Sequence, residues 1–291
     1  MSSIKYLSAI LILVGLSTCG AKNLQEQNTL QQTAVQLTDK TTPVVNKNTA
    51  TPKEEEEEAI ALPPKAPLPS KKDSTTAETF NHSRWDRILQ KHVSNSGEVN
   101  YDALRNDPSE LNIYIDALTH NTPTDAWTKE AILAYWINAY NALTIDLILK
   151  NYPVKSIKGI KNPWDQKLWQ FGDTWQDLNT IEHKILRPMK EPRIHFAIVC
   201  ASISCPKLQN KAFTASTLEI QLTQATKEFL NDPTKNELTK DAVQLSRIFK
   251  WFKKDFEITG SLIQFLNQYT DFEISESAKA NYKDYNWNLN N

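Results

Sequence analysis

The 291-residue chain balances 33 Lys and Arg against 34 Asp and Glu, a formal net charge of -1. That balance gives no reason to propose nucleic acid or an acidic membrane surface as the main partner. Six glycines without a Gly-rich phosphate loop exclude the usual nucleotide fingerprints, and three cysteines are too few for a disulfide-stapled miniprotein.

Residues 1–19 read as a lipoprotein-type signal peptide. Lys5 supplies the positive region, and the apolar run 7–16 is too short to span a bilayer as a stable helix. It ends in Leu16-Ser17-Thr18-Cys19-Gly20, which resembles a bacterial lipobox with Cys19 as the lipidated new N-terminus. Attached acyl chains would hold the protein on a membrane without a spanning helix. The expected location is the bacterial cell envelope, facing the periplasm or the cell surface. Residues 20–79 contain no Trp or Phe, carry the acidic run 54–58 and then Pro63, Pro64, Pro67 and Pro69. Such a segment buries too little apolar area to offset its ordering entropy and is expected to be a disordered linker.

From Phe80 onward the composition changes: all eight Trp and all ten Phe lie here. One globular domain over residues 80–274 is the natural reading. Helical spacing joins Trp85, Ile88 and Leu89, and again Leu111, Tyr114, Ile115 and Leu118 behind Ser109 as a cap. Residues 128–150 are apolar nearly all round, which predicts a helix buried on most sides, capped by Thr128 and ended by Tyr152-Pro153. Asn138 and Asn141 share one face of it. A buried amide without partners costs roughly 1–3 kcal/mol. Both must therefore be bonded, either as a network that pins neighbouring loops or as groups that orient a catalytic residue or substrate.

Residues 168–175, with Gly172-Asp173 at the centre, predict a β-hairpin. Glu182-His183 enters a short helix ended by Pro188. Residues 193–199 alternate Ile194, Phe196 and Ile198 with His195, Ala197 and Val199, which predicts a buried strand running into a loop at residues 201–207. An amphipathic helix over 214–231 follows, then a second hairpin at 238–245. Ser246 caps R-I-F-K-W-F-K-K-D-F, and a last helix covers 260–269. Residues 275–291 form a polar tail, expected to be a loose end despite Trp287. The whole predicts an α+β fold, helices packed around a small, mostly antiparallel sheet, one domain after a disordered tether.

W-I-N-A-Y-N-A-L at 136–143, Tyr152 to Ile157, Ile181-Glu182-His183, Leu186-Arg187, R-I-H-F-A-I-V-C-A-S-I-S-C-P at 193–206 and W-F-K-K-D-F at 251–256 resemble the domain of unknown function 547 family over roughly residues 97–270. Phe252 departs from the related W-Y-x-x-D-F pattern. The resemblance implies a domain and no reaction.

Four arrangements compete for the cysteines at 200 and 205: a structural disulfide, thiol catalysis, a metal site with His183 and His195, or two inert thiols. Taken as a strand, residues 195–200 span roughly 16 Å and put His195 and Cys200 on opposite faces. His183 is then the better base, with Glu182, Asn138 or Asn141 to orient it. The candidate catalytic set is Cys200, His183, Glu182, Cys205, Asn138 and Asn141. Arg187, Arg193, His195 and Ser202 are candidates for substrate binding. No cofactor or metal is implied, and the membrane, through Cys19, is the only partner indicated. The reading is an exported envelope lipoprotein with a Cys/His-dependent hydrolase or transferase domain. The rival is a non-catalytic binding or scaffolding module with a Cys200–Cys205 disulfide.

Overall fold

The computed structural model describes residues 80–291. The signal segment, Cys19 and the linker lie outside the described residues.

Helix α1 (Ser83–His92) buries Trp85, Ile88 and Leu89, and α2 (Tyr101–Asn106) starts on Asn100, whose side chain accepts from the Ala103 amide. Helix α3 (Ser109–His120) buries Leu111, Tyr114 and Leu118, and Trp85 stacks on Tyr114 at 5.5 Å. Ser109, expected as its cap, is instead its first residue, and Pro108 stands at the cap position. Helix α4 (Lys129–Asn151) starts where expected, with the Thr128 side chain accepting from the Ala131 amide. Every residue from 133 to 148 is buried. By length and composition α4 matches a membrane-spanning helix; here its apolar surface is covered by the protein itself.

Strands β1 (Trp169–Phe171) and β2 (Thr174–Gln176) pair antiparallel around Gly172, which takes φ +56° in the turn. A short helix α5 (Leu178–Thr180), capped by Asp177, runs into a π-helical turn (Ile181–Leu186) and then a 3-10 turn (Arg187–Met189). Helix α6 (Leu218–Asn231) lays Leu218, Leu222, Ala225 and Phe229 on one buried face. Strand β3 (Glu237–Leu238) pairs antiparallel with β4 (Ala242–Leu245), as predicted for the second hairpin. Ser246 caps α7 (Arg247–Trp251), a break at Phe252 leads into α8 (Lys253–Phe256), and α9 (Leu262–Asn267) opens on a Ser261–Gln264 capping box. Strand β5 (Lys279–Tyr282) then lies parallel to β4.

The fold class is therefore α+β, with the strands divided between a two-stranded and a three-stranded sheet. The apolar side chains form two cores, one around α4 and one around Phe196, Phe229, Phe249 and Phe256.

Two expectations are overturned. Residues 193–199 are not a strand: Pro192–Phe196 is a 3-10 helix, opened by Glu191 accepting from the Arg193 amide. The alternation misleads because residues 193–199 are all buried, so neither parity marks a solvent face. Pro192 instead fits the first turn of a helix. The tail is not loose either. Its backbone runs beside the cysteine loop, with Ile203 N donating to Asn288 O, Ser204 N to Asn286 O and Asn290 N to Ala201 O. Leu289 is buried, and β5 completes the second sheet. The globular unit therefore extends through the C-terminal residues.

Candidate active site

A cavity of about 330 Å³ is lined by both cysteines, Glu182, His183, His195, Tyr140, Tyr285 and several tryptophans. Helix α4 contributes Tyr140, the π-helical turn contributes Glu182 and His183, and the 3-10 helix Pro192–Phe196 contributes His195. The loop after it supplies the sulfurs, and the C-terminal segment supplies Tyr285 and Trp287.

Both cysteines are free thiols. The loop folds back so that the Cys200 amide donates to Cys205 Sγ at 3.0 Å. The Ser202 hydroxyl and the Tyr285 hydroxyl reach the same sulfur, each at 3.3 Å. Cys200 Sγ lies 3.4 Å from Ser202 Oγ and 3.5 Å from Tyr285 Oη. Burial pushes the Cys205 thiol up, but the bonds from Cys200, Ser202 and Tyr285 outweigh it and bring the group down to about 6. Cys200 moves the other way, raised first by its bond to Cys205 and then by burial. The donors on Cys205, the Cys200 amide at 3.0 Å first among them, favour the charge on that sulfur, with the proton kept on Cys200. Ala201, between the two cysteines, is buried with φ +56°. A non-glycine residue there costs roughly 1–2 kcal/mol, strain that the contacts from residues 286–290 hold in place.

Glu182 is buried, and Tyr140 donates to its Oε2 at 3.2 Å. Burial raises the carboxyl to about 7, against the bond from Tyr140 and the charge of Arg187. The π-helical turn, closed by Arg187 N donating to Glu182 O, widens the backbone at this residue. A carboxyl that titrates near neutrality in a cavity suits proton transfer.

His195 Nε2 lies 2.8 Å from Asp255 Oδ2. An ionised carboxylate only accepts, so Nε2 carries the proton and Nδ1 is left as an acceptor. Arg187 grips Asp255 with both arms of its guanidinium, at 2.6 and 3.0 Å. Burial would raise the Asp255 carboxyl, but the bonds from His195 and Arg187 hold it well below the usual carboxylate range. Burial lowers His195 despite Asp255, so the ring is neutral near pH 7. Phe252, the departure from the family pattern, stacks on His195 with ring centres 3.9 Å apart. Arg187 Nη1 lies 2.8 Å from His183 Nδ1, and burial, followed by that guanidinium, lowers His183.

The predicted site residues therefore separate. Cys200, Cys205, Glu182, His183 and His195 meet at one cavity, with Ser202 against the sulfurs. The objection to His195 falls with the strand it was built on. Asn138 and Asn141 do not line the cavity. Asn138 bonds the Phe213 backbone through Nδ2 to O at 2.8 Å and N to Oδ1 at 3.0 Å. Asn141 does the same to Ala197 O at 2.9 Å and Val199 N at 3.0 Å, and so holds the chain that enters Cys200. They pin loops, the first of the two roles weighed for them. Arg193 does not line the cavity either. It bridges Glu191 and Glu219 with four bonds of 2.7–2.8 Å and ties the 3-10 turn to α6. Arg187 is committed to Asp255 and His183. Among the described residues no group of three or more His, Cys, Asp or Glu side chains is placed to hold a metal ion, so the four-ligand arrangement does not form.

Three residues at or beside the candidate site are not singled out by the sequence. Asp255 sat inside the quoted W-F-K-K-D-F run, an acidic residue beside an aromatic stripe, and that was the available signal. Tyr140 lies inside the W-I-N-A-Y-N-A-L run, between the two asparagines. Tyr285 had no sequence signal, because its role depends on a contact spanning 80 residues.

The fold and cavity define an α+β domain with a paired-thiol site. Residues 124–230 match the model of the family described as protein of unknown function, DUF547. The match includes both cysteines, Glu182, His183 and His195, and ends before Asp255. No curated protein and no solved structure matches the chain.

Proposed function

We propose that the domain is a thiol-dependent hydrolase or acyl transferase with Cys205 as nucleophile, carried by an exported lipoprotein of the bacterial envelope and anchored through Cys19. The observation that carries the reading is Cys205 Sγ, held by three donors beside a cavity that is also lined by Glu182 and by His195, which Asp255 holds from outside the lining. In acylation the Cys205 thiolate forms a bond to an acyl carbon and the bond to the leaving group breaks. Glu182, protonated, gives the leaving group its proton. In deacylation the Glu182 carboxylate takes a proton from water or a second substrate, whose oxygen or nitrogen bonds to the acyl carbon. The thiolate then departs and the starting state is restored. His195, oriented through Nε2 by Asp255, offers Nδ1 as the acceptor that aligns the incoming nucleophile. The envelope location rests on the lipobox-like Leu16 to Gly20.

p-Nitrophenyl acetate tests the chemistry. Expected are a burst of p-nitrophenol and a mass gain of one acetyl group on the Cys205 peptide, absent in Cys205→Ser and retained in Cys200→Ser. Acetylation that is missing, or that persists in Cys205→Ser, overturns the assignment.

A further inference from the structure

The walls of the cavity also bear on what it admits. Trp164, Trp251, Tyr285 and Trp287 form one continuous aromatic wall. Tyr285 and Trp287 are 4.5 Å apart centre to centre, Trp251 lies 4.8 Å from Tyr285 and 5.7 Å from Trp287, and Trp164 meets Trp287 edge-on at 6.0 Å. Two carboxyl groups share the lining, Glu182 within and Asp165 exposed at the rim. Among the described residues no Lys or Arg side chain lines the cavity. The nearby guanidinium of Arg187 is neutralised by Asp255. Lys158 Nζ sits 4.2 Å from the centre of the Trp287 ring, so this indole already takes an ammonium from the chain itself.

Ring faces carry negative electrostatic potential and attract cations, most strongly at Trp. An anion entering here meets ring faces and the Asp165 carboxylate, and the nearest cations are Arg187, paired with Asp255, and Lys158, seated over Trp287. We propose, on the basis of the thiol reading of the same cavity, that the substrate carries an alkylammonium group beside its reacting acyl group. That cation lies against the Trp251–Trp287 wall, facing Asp165 and Glu182. The aromatic wall supplies the contact area and the Asp165 carboxylate supplies the sign of the charge, Glu182 being neutral while it holds the proton for the leaving group.

Full-length Cys205→Ser, which cannot be acylated through sulfur, is titrated at pH 8 with hexylammonium, hexan-1-ol, hexanoate and methyl α-D-glucopyranoside, followed by tryptophan fluorescence. Hexylammonium is expected to bind about tenfold more tightly than the alcohol, the order expected for a cation on Trp, with no saturable binding of hexanoate. Asp165→Asn, with an unchanged thermal midpoint, is expected to narrow that preference. Hexanol, hexanoate or the glucoside binding as tightly as hexylammonium overturns the proposal, as does quenching by none of them. The acetyl-transfer experiment fails or succeeds independently, because cation preference is read in a variant without the nucleophile.

Discussion

Replacing Tyr285 with Phe removes one of the three donors on Cys205 Sγ and leaves the ring in the aromatic wall. A hydrogen bond to a charged group contributes roughly 1.5–3 kcal/mol, and at 3.3 Å to sulfur the low end applies. About 1.4 kcal/mol is one pKa unit, so the Cys205 midpoint should rise from about 6 to roughly 7. The rate at a single pH is a poor readout. A thiol at 6 is about 0.9 ionised at pH 7 and one at 9 about 0.01, a gain near ninetyfold. Lower basicity costs roughly 15–30-fold in intrinsic nucleophilicity, which leaves only a few-fold net. The midpoint is therefore the quantity to follow. Iodoacetamide alkylation between pH 4.5 and 9.5, read on the separate Cys200 and Cys205 peptides by mass spectrometry, should give a Cys205 profile with its midpoint near 6. In Tyr285→Phe it moves up by about one unit, and in both proteins Cys200 stays unlabelled until higher pH. A wild-type midpoint above about 8.5, or no change in Tyr285→Phe, refutes the account of Cys205 as the charged sulfur.

Asn141→Ala orphans Ala197 O and Val199 N, two buried backbone groups worth roughly 1–3 kcal/mol each, so urea unfolding should show a loss of about 3 kcal/mol; a loss under about 1 kcal/mol contradicts the pinning role. Arg193→Ala breaks the clamp to Glu191 and Glu219. Because Glu219 is largely exposed, the loss should be about 2 kcal/mol, with Cys205 alkylation unaltered; altered alkylation would return Arg193 to the site. Glu182 is raised from 4.5 to about 7 by burial, so the fold favours its neutral form. Its contribution to stability is full below 4.5 and is lost as pH rises to about 7. The thermal midpoint of the wild type relative to Glu182→Gln should fall across that window, and a flat difference counts against a buried, protonated Glu182.

What could be read from the sequence alone was local. The cap at Thr128, the apolar circumference of residues 133–148, the turn at Gly172 and the amphipathic stripe of α6 each depend on contacts a few residues apart, and each formed as expected. The pairing of two cysteines with Glu182 and His183 was legible as composition near one stretch. The form of that stretch was not. Burial on all sides removed the meaning of the alternation at 193–199, and the 3-10 turn that results brings His195 to the cavity from which a strand would have turned it away. Tertiary structure alone decided which groups face the sulfurs. Tyr285 and Asp255 reach the site across 80 and 60 residues, and the polar tail gains order from its pairing with β4, the burial of Leu289 and its hydrogen bonds to the cysteine loop. Local periodicity cannot encode such contacts, because their stabilisation exists only once both partners are in place.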